Sequence, residues 1–456
     1  MKTIVVGAGI SGLATAHALR VMQPGIELRV LEAAGRVGGK VWTEQTPEGF
    51  RCEWGVNGFL DNKPKTLELA AALGLEPLRG RAAADRRYVF RHGTLHSLPE
   101  SPPAFLTSRL MSLPGRLRVL WEVLAPKGRA EDETLAEFAQ RRLGREAFEA
   151  LIDPMASGVF AGDPHRMSLK SCFPRIHELE SRYGSLIRGM IRLQIEARRR
   201  GGSGPGAGPG GKLTSFADGM GAMTGRLAEQ LGARVRLATP VAAIEPAGGR
   251  FLVHTESGPA EEAECVVLAA PAFRQAQILQ SLDGELADLL RGIEYPPVAV
   301  VCLGFAARDV AGRLDGFGFL VPGSEGRRIL GTVFDSCVFP GRAPKGSVLL
   351  RTLVGGARFA ELAQLPDAQL LDAVRAELKD VLGIAGEPAF AQIHRHQHAI
   401  PQYHIGHARR LEAIATTLRG HPGLVLTGNA FRGVSLNDCI ENAWRVAGAL
   451  IEGWSA

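Results

Sequence analysis

Three glycines at a fixed spacing near the start of the chain could bind a dinucleotide. Residues 3–13 have the sequence TIVVGAGISGL, in which an apolar run ends at Gly7 and a helical pattern begins after Gly12. Gly7 permits a tight turn, Gly9 lets the backbone approach a pyrophosphate, and Gly12 lets the helix pack closely on the strand. The helix N-terminus offers unpaired N–H groups and a positive dipole to that pyrophosphate.

An acidic residue and a second glycine pair extend this motif. Glu32 ends a second strand-like run, where a carboxylate can hold a ribose hydroxyl. The segment 35–40, GRVGGK, then adds basic side chains and backbone N–H groups that could contact the diphosphate. The plainer alternative for this segment is a basic turn. The combination resembles the flavin amine oxidase superfamily and indicates FAD rather than NAD.

Composition bounds the class of protein. A chain of 456 residues with 45% hydrophobic and 22% charged residues is typical of a globular protein with two or three lobes. The net charge of +6 suits an acidic substrate or an anionic membrane surface. The basic residues are scattered and no nucleic-acid motif is present, so we expect no nucleic-acid partner.

The cysteine pattern and the apolar runs indicate a location. Six cysteines lie far apart with no CxxC pair, which favours a reducing compartment and argues against a disulfide framework or a metal site. The N-terminus superficially imitates a signal peptide, but cleavage there would destroy the glycine motif. No apolar run approaches the ~18 residues that span a bilayer. We therefore expect a cytoplasmic protein, in contact at most with the inner face of the cell membrane.

The order of strand-like and helical runs predicts an α/β protein with three domains. A Rossmann-like FAD-binding domain would be discontinuous, comprising 1–80, 213–272 and 408–456, and a mixed-sheet substrate-binding domain would span 273–407. A helical domain would span 81–212 and contain the Gly-rich linker 201–211. Leucines between 106 and 124 alternate with arginines, which fits either a helix at a membrane surface or ordinary domain core.

The C-terminal segment returns to the first domain. A strand-like run ends at Gly428, and Val434, Ser435 and Leu436 precede a helical pattern in which Ser435 or Asn437 could be the N-cap. A helix N-terminus aimed at a reduced flavin would stabilise its negative charge by roughly 0.3 to 2 kcal/mol. This segment is therefore a predicted second flavin contact, with a plain strand–helix junction as the alternative.

Several further segments together resemble the oxygen-dependent protoporphyrinogen oxidases, a family of FAD-dependent porphyrinogen oxidases with an amine-oxidase-like fold. The resemblance covers nearly the whole chain and rests on residues 157–163 (SGVFAGD), 316–322 (GFGFLVP), 330–333 (LGTV), 353–356 (LVGG), 400–407 (IPQYHIGH) and 433–440 (GVSLNDCI). It favours this family over monoamine oxidases and phytoene desaturases. It departs from the family pattern at Val56, where proline is common, and at Ala408, where an aromatic residue can occur.

The resemblance implies a set of substrate-binding residues. Arg87 would bind a substrate propionate as a guanidinium fork, and Gly158 would lie beside the reacting ring carbon as the catalytic position. The positions that would line the tetrapyrrole are Phe317, Leu320, Val333, Leu353 and Asn57. Without the resemblance, Arg87 would be a surface arginine, Asn57 a turn residue and the four apolar residues domain core.

The residues expected to contact FAD come from five parts of the chain. They are Gly7, Ala8, Gly9, Ile10, Ser11, Gly12, Glu32, Arg36, Gly38, Gly39, Lys40, Gly55, Val56, Asn57, Gly58, Val241, Gly428, Val434, Ser435 and Leu436. Val241 enters this set by resemblance alone and could be an ordinary buried strand residue. His394, His396 and His398 alternate along one run, but no carboxylate or cysteine accompanies them at useful spacing, so we predict no metal site.

The resemblance also implies the reaction. A porphyrinogen would lose six electrons in three hydride transfers to the flavin, with O2 as the acceptor and no need for a strong general base. The expected enzyme oxidises protoporphyrinogen IX to protoporphyrin IX in heme and porphyrin biosynthesis. Alternatives are coproporphyrinogen III oxidation within the same family, a flavin amine oxidase or carotenoid desaturase, and a non-catalytic flavin-binding protein. Whether the chain forms a homodimer stays open.

Overall fold

The computed structural model describes residues 1–128, 130–199, 210–310 and 314–455, so most of the predicted linker 201–211 lies outside the described residues. The strands are β1 (Lys2–Val6), β2 (Glu27–Leu31), β3 (Thr43–Gln45), β4 (Arg51–Glu53), β5 (Phe59–Leu60), β6 (Pro77–Arg79), β7 (Tyr88–Arg91), β8 (Thr94–Ser97), β9 (Leu213–Phe216), β10 (Val235–Arg236), β11 (Val241–Ala247), β12 (Arg250–Thr255), β13 (Glu261–Ala263), β14 (Cys265–Leu268), β15 (Val298–Ala306), β16 (Gly318–Leu320), β17 (Gly331–Val333), β18 (Ser347–Gly355), β19 (Phe390–His396) and β20 (Leu424–Leu426).

Helices connect and cover these strands. They are α1 (Ile10–Met22), α2 (Pro64–Ala72), α3 (Pro102–Thr107), α4 (Leu113–Leu120), α5 (Leu135–Leu143), α6 (Arg145–Ala147), α7 (Asp153–Phe160), α8 (Leu169–Cys172), α9 (Pro174–Tyr183), α10 (Leu186–Arg199), α11 (Gly221–Leu231), α12 (Ala272–Leu279), α13 (Gly284–Arg291), α14 (Asp335–Val338), α15 (Asp367–Leu382), α16 (His407–Leu418) and α17 (Leu436–Ser455).

A five-stranded parallel sheet with the order β10-β2-β1-β14-β20 carries the glycine motif. Its central strand β1 is buried on both faces, which explains its continuous apolar run. Helices α1 and α17 pack on the same side of this sheet, where Leu13 and Ile440 share one core. The last strand therefore completes the sheet that the first strand begins, as the sequence predicts for the C-terminal segment.

A mixed seven-stranded sheet has the order β19-β15-β18-β17-β16-β7-β8. The hairpin β7–β8 joins it through parallel pairing with β16, in which Leu320 lies opposite Val89. This hairpin comes from the segment 81–212, whose other described elements are largely helical. The predicted boundaries of the three domains stay a prediction.

The two faces of this sheet have different neighbours. On one face, Leu303 and Phe305 of β15 share a core with Leu370 and Leu378 of α15. That helix begins at Asp367, because Pro366 holds Leu365 in an extended conformation after a short 3₁₀ turn. The opposite face points toward the flavin motifs.

The segment from α3 to α10 forms a helical layer with an exposed apolar surface. Leu110 and Met111 are buried, whereas Leu113, Leu117, Trp121 and other large apolar side chains of α4 and the turn after it are about half exposed or more. Only part of the predicted leucine stripe is therefore core. Within the described ranges, no helix is long and apolar enough to cross a membrane.

Candidate functional site

The turn between β1 and α1 has the geometry of a phosphate-binding loop. A Cβ atom on Gly12 would lie 1.9 Å from the Gly7 carbonyl oxygen, so the helix packs as closely as predicted. A Cβ atom on Gly9 would meet nothing within 4 Å. Gly9 is also the N-cap of α1 and provides no side-chain cap. The first N–H groups of the helix, including those of Ile10 and Ser11, thus begin beside open space that a pyrophosphate can fill.

The Glu32 carboxylate lies directly above this loop. It accepts hydrogen bonds from Ala8 N at 2.6 Å and from Ala34 N at 2.9 Å. These two bonds fix the carboxylate at the carboxyl end of β2, beside the space next to Gly9. The position fits the predicted contact with a ribose hydroxyl.

The second glycine pair packs against the first motif. Gly38 N donates to Ala8 O at 2.8 Å, and Gly38 forms a parallel bridge with Gly9. A Cβ atom on Gly38 would lie 2.4 Å from Val41 O, and one on Gly39 would lie 3.5 Å from Gly9 Cα. The two segments thus form one continuous wall of backbone, as expected of a layer around a diphosphate.

Both basic side chains of this segment already have protein partners. Arg36 donates to Val37 O and Gly39 O and lies 4.2 Å above the Trp42 ring. Lys40 Nζ donates to Ala399 O, and burial lowers the pKa of Lys40 to about 8. Their predicted contacts with a diphosphate stay predictions.

The loop Gly55–Gly58 lies between the two sheets. A Cβ atom on Gly55 would lie 1.9 Å from Lys40 O, and one on Gly58 would lie 2.7 Å from Thr214 O. Val56 packs on the core of the parallel sheet. Asn57 is only 9% exposed, and neither atom of its amide group makes a hydrogen bond of normal geometry to any described residue. The amide nevertheless lies beside the buried Asp335 carboxylate, where it opposes the rise in the pKa of that group caused by burial, so it has a protein neighbour.

The C-terminal helix α17 begins with a side-chain cap. The sequence offers two candidates for this N-cap, Ser435 and Asn437. Ser435 Oγ accepts from Asp438 N at 3.1 Å and donates to the Asp438 carboxylate at 2.6 Å, so Ser435 is the N-cap of α17. Asn437 instead donates to Leu60 O at 2.9 Å. The Asp438 carboxylate offsets part of the positive dipole at this N-terminus, which weakens the predicted stabilisation of a reduced flavin there.

The other predicted cofactor contacts of this region are spread around the parallel sheet. Gly428 follows β20 with φ of +124°, a conformation that favours glycine. Leu436 is buried in the core below the parallel sheet, and Val434 packs against helical-layer residues around Tyr403. Val241 is the first residue of β11 and packs on the core between the parallel sheet and α12.

Three residues of the predicted tetrapyrrole pocket share one face of the seven-stranded sheet. Leu320 and Leu353 lie on either side of Gly331 in the strand register, and Val333 is two residues along the same strand as Gly331. Side chains two residues apart on a strand point to the same side. Leu320, Val333 and Leu353 therefore form an apolar wall with a gap at Gly331.

Phe317, Gly158 and Arg87 adjoin this wall. Phe317 packs in one hydrophobic cluster with Val333. The next residue, Gly318, has φ of +142°, a conformation that favours glycine. A Cβ atom on Gly158 would lie 2.8 Å from Leu320 Cδ2, so α7 faces the wall directly. The Arg87 guanidinium is exposed and lies 5.8 Å from the Phe317 ring centroid. The structure thus brings together all six residues.

A buried ionic cluster beside this wall is not apparent from the sequence. It contains Glu53, Asp335, Arg342 and Arg351, whose side chains are at most 5% exposed. Arg342 pairs with Glu53 at 3.2 Å, and Arg351 pairs with Asp335 at 3.3 Å. Burial raises the pKa of Glu53 to about 7. The sequence signal that could have indicated this cluster is Arg351, a charged residue within the apolar run 348–354.

The three alternating histidines have structural partners. His396 Nε2 lies 2.6 Å from Trp54 O, and burial lowers the pKa of His396 to about 4. His394 packs edge-on against Trp42 at 4.9 Å, and His398 lies 4.3 Å from Phe273 between ring centroids. Among the residues that the structure describes, no group of His, Cys, Asp and Glu side chains is arranged to hold a metal ion.

Comparisons with known proteins agree with this geometry. Residues 10–451 match the family model of flavin-containing amine oxidoreductases. The chain is 35% identical to the chloroplastic protoporphyrinogen oxidase of Oryza sativa subsp. japonica, over 97% of this chain and 87% of that protein. It is 31% identical to the coproporphyrinogen III oxidase of Bacillus subtilis (strain 168), over 96% and 95%.

A solved structure extends the likeness to the fold. The crystal structure named "Putative protoporphyrinogen oxidase" from Exiguobacterium sp. 255-15 superposes with a TM-score of 0.83 and 28% identity, over 100% of this chain and 99% of that one. The predicted amine-oxidase-like fold is therefore confirmed, and so is a flavin-dependent oxidoreductase.

Proposed function

We propose, since the chain belongs to the flavin-containing amine oxidoreductase family, that it oxidises a porphyrinogen with FAD as cofactor and O2 as electron acceptor. The proposed reaction converts protoporphyrinogen IX to protoporphyrin IX. One observation carries the proposal. The apolar wall, Gly158 of α7 and the exposed Arg87 lie together beside the Gly55–Gly58 loop, which is predicted to contact the flavin. A flat ring system with carboxylate tails fits such a surface.

The residues present fit FAD. The open space at Gly9 can take the pyrophosphate, and the Glu32 carboxylate is held where a ribose would lie. Each of these features is a place for one part of a dinucleotide flavin.

Each substrate-facing residue has a distinct task in this proposal. Arg87 binds a propionate at the exposed edge, where a guanidinium and a carboxylate form paired hydrogen bonds. Leu320 and Leu353 hold one face of the macrocycle, and Gly158 lets α7 pack closely on Leu320 beside the reacting ring carbon. Asn57 orients the bound groups through its amide. A bound flavin supplies the hydride acceptor.

The overall stoichiometry is fixed by the substrate. A porphyrinogen that becomes a porphyrin loses six electrons and six protons, so three O2 molecules become three H2O2 molecules. The pyrrolic protons leave to solvent, and we assign no general base.

The number of propionates distinguishes the two porphyrinogens. Protoporphyrinogen has two propionates and coproporphyrinogen has four. Arg86 pairs with Asp315 at 2.5 Å and Arg358 pairs with Asp153 at 2.6 Å, whereas Arg87 makes no ion pair with any residue that the structure describes. Arg87 is therefore available to bind a propionate, and coproporphyrinogen III is the second candidate substrate.

A steady-state assay with both substrates tests the proposal. Purified protein is incubated in air with protoporphyrinogen IX or with coproporphyrinogen III, and porphyrin fluorescence and peroxide are followed together. We expect a higher kcat/KM with protoporphyrinogen and one peroxide for each two electrons removed. Turnover of neither substrate above the non-enzymatic rate would contradict the proposal, and a preference for coproporphyrinogen would select the alternative.

We also propose that the exposed surface of α4 contacts the inner face of the cell membrane from the cytoplasm. Leu117 is 51% exposed, Trp121 is 66% exposed and Leu124 is 68% exposed, and arginines flank them. Apolar side chains bordered by cations suit an anionic lipid surface. In flotation with anionic vesicles, the protein should float and a variant with Leu117→Ser and Trp121→Ser should not. Equal flotation of both would contradict this contact.

A further inference from the structure

Arg351 occupies an unusual position for a charged residue. It lies in β18, where it pairs with Val333 of β17 on one side and Cys302 of β15 on the other. Its side chain is 5% exposed. A buried guanidinium is costly unless hydrogen bonds and a counter-charge satisfy it, so its contacts indicate what it does.

Those contacts connect the strand that carries Leu353 of the apolar wall with the Gly55–Gly58 loop, which is predicted to contact the flavin. Arg351 NH1 donates to Gly55 O at 2.9 Å and to Glu53 O at 3.3 Å. Its Nε lies 3.3 Å from the Asp335 carboxylate. One planar fork therefore binds two backbone carbonyls at the start of the loop and is itself held by a carboxylate.

The loop held in this way carries Asn57, whose amide lies beside the Asp335 carboxylate. Asn57 follows Gly55 by two residues, so a shift of the Gly55 carbonyl moves Asn57 as well. Arg351 is on the same face of the sheet as Leu353, two residues along the same strand. It thus fixes the distance between the wall that would hold the substrate and the loop that would contact the flavin.

We propose that Arg351 is a positioning residue for the oxidation, which aligns the Gly55–Gly58 loop and the cofactor beside it with the substrate wall. This inference rests on the proposed function for its catalytic consequence. Its structural consequence, the order of the loop, does not depend on which substrate is used. Small misalignments between reacting groups lower rates strongly, so loss of this contact reduces the hydride-transfer rate.

Arg395 provides a matched control. It lies in β19 of the same sheet, where it donates to Ala363 O at 3.0 Å and Leu365 O at 2.6 Å and pairs with Asp367. It therefore makes the same kind of contacts as Arg351. Because it pairs with Ala299 whereas Arg351 pairs with Cys302, the two arginines lie on opposite faces of the sheet.

The experiment compares Arg351→Lys with Arg395→Lys in the FAD-loaded protein. A lysine keeps the charge beside Asp335 but cannot bind the carboxylate and both carbonyls at once. Hydrogen exchange of peptides covering residues 53–60 reports loop order, and anaerobic stopped-flow reduction of the flavin gives a limiting rate and a substrate Kd. We expect faster exchange and a limiting rate lower by about tenfold or more for Arg351→Lys, with little change in Kd.

Several outcomes separate this inference from the proposed function. If Arg351→Lys exchanges and reacts like the wild type and Arg395→Lys, Arg351 does not position the loop. If the wild type is not reduced by a porphyrinogen, the proposed function fails, and the exchange data alone decide the inference. If Arg351→Lys does not fold, the pair Arg351→Met with Asp335→Leu removes both charges and should give the same loosened loop and slowed reduction.

Discussion

Gly158 of α7 lies against the side chain of Leu320, so closely that a Cβ atom added to Gly158 would be 2.8 Å from Leu320 Cδ2 and 3.0 Å from Cδ1. Asp153 at the start of α7 pairs with Arg358 and accepts from Gly323 N at 2.7 Å. These bonds fix the helix over the sheet. The glycine is thus required by the space between helix and wall.

Replacing Gly158 by alanine should therefore impair turnover more than stability. The new methyl group would push Leu320 toward the space proposed for the macrocycle, and we expect kcat/KM to fall by about tenfold or more. Because alanine favours a helix over glycine, the thermal midpoint should change little.

A second crowded helical glycine serves as its control. A Cβ atom on Gly189 of α10 would lie 2.9 Å from Leu179 Cδ2, far from the site in the helical layer. Gly189→Ala should leave kcat/KM unchanged. Similar kinetic losses in both variants would show that crowding a helix anywhere disturbs turnover and would contradict a special role for Gly158.

Arg87→Ala should raise KM for the porphyrinogen by about tenfold, because a charge-assisted hydrogen bond to a propionate is lost. The limiting rate should change less, since the propionate is bound equally in the ground and transition states. Steady-state kinetics measure both. Arg86→Ala, which removes a neighbouring arginine paired with Asp315, should leave KM near the wild-type value. An unchanged KM in Arg87→Ala would show that this arginine does not bind substrate.

Gly9→Ala should weaken FAD binding without affecting the apoprotein fold. A Cβ atom there meets nothing within 4 Å, and Gly9 has φ of −71°, which alanine adopts freely. The added methyl group would therefore occupy space that a ligand fills and not space taken by the protein. We expect the Kd for FAD to rise by about tenfold or more. Isothermal titration of apoprotein measures the Kd. Gly25→Ala, also without neighbours within 4 Å, is the control, and equal affinity in the two variants would contradict a pyrophosphate at Gly9.

Glu53 should make stability depend on pH. Burial raises the pKa of this carboxyl from an ordinary 4.5 to about 7. Between those values the folded protein holds a proton that the unfolded chain has lost, so the free energy of unfolding falls as the pH rises. Glu53→Gln lacks this titration. Its thermal midpoint should therefore rise relative to that of the wild type between about pH 5 and about pH 8.

The exposed Glu48 gives a control for that comparison. Glu48→Gln retains Glu53, so its thermal midpoint should still fall as the pH rises through this range, as in the wild type. If the offset of Glu53→Gln from the wild type were constant, the pKa of the Glu53 carboxyl would be the same in the folded and the unfolded protein, which would contradict this prediction.

Local patterns explain why much of the fold and site could be predicted. The strand, turn and helix around Gly7 and Gly12 are neighbours in sequence, so spacing alone predicts their geometry. The apolar wall was placed by resemblance, since nothing in the residues around Leu320 or Leu353 separates pocket from core. Ser435 and Asn437 were indistinguishable as caps until the Asp438 contact resolved them.

The buried ionic cluster could not be predicted for a physical reason. Glu53 and Arg351 are almost 300 residues apart, and their contact depends on how two sheets pack. Sequence spacing carries no information on such packing.

Anaerobic reduction of the bound flavin shows whether the protein oxidises a porphyrinogen. The purified protein is mixed without oxygen with protoporphyrinogen IX, with coproporphyrinogen III or with a simple primary amine, and the visible flavin absorbance is followed. We expect protoporphyrinogen IX to bleach the flavin rapidly, the colour to return when air is admitted, and the amine to cause no bleaching. Bleaching by the amine alone, or by none of the three, would contradict this expectation.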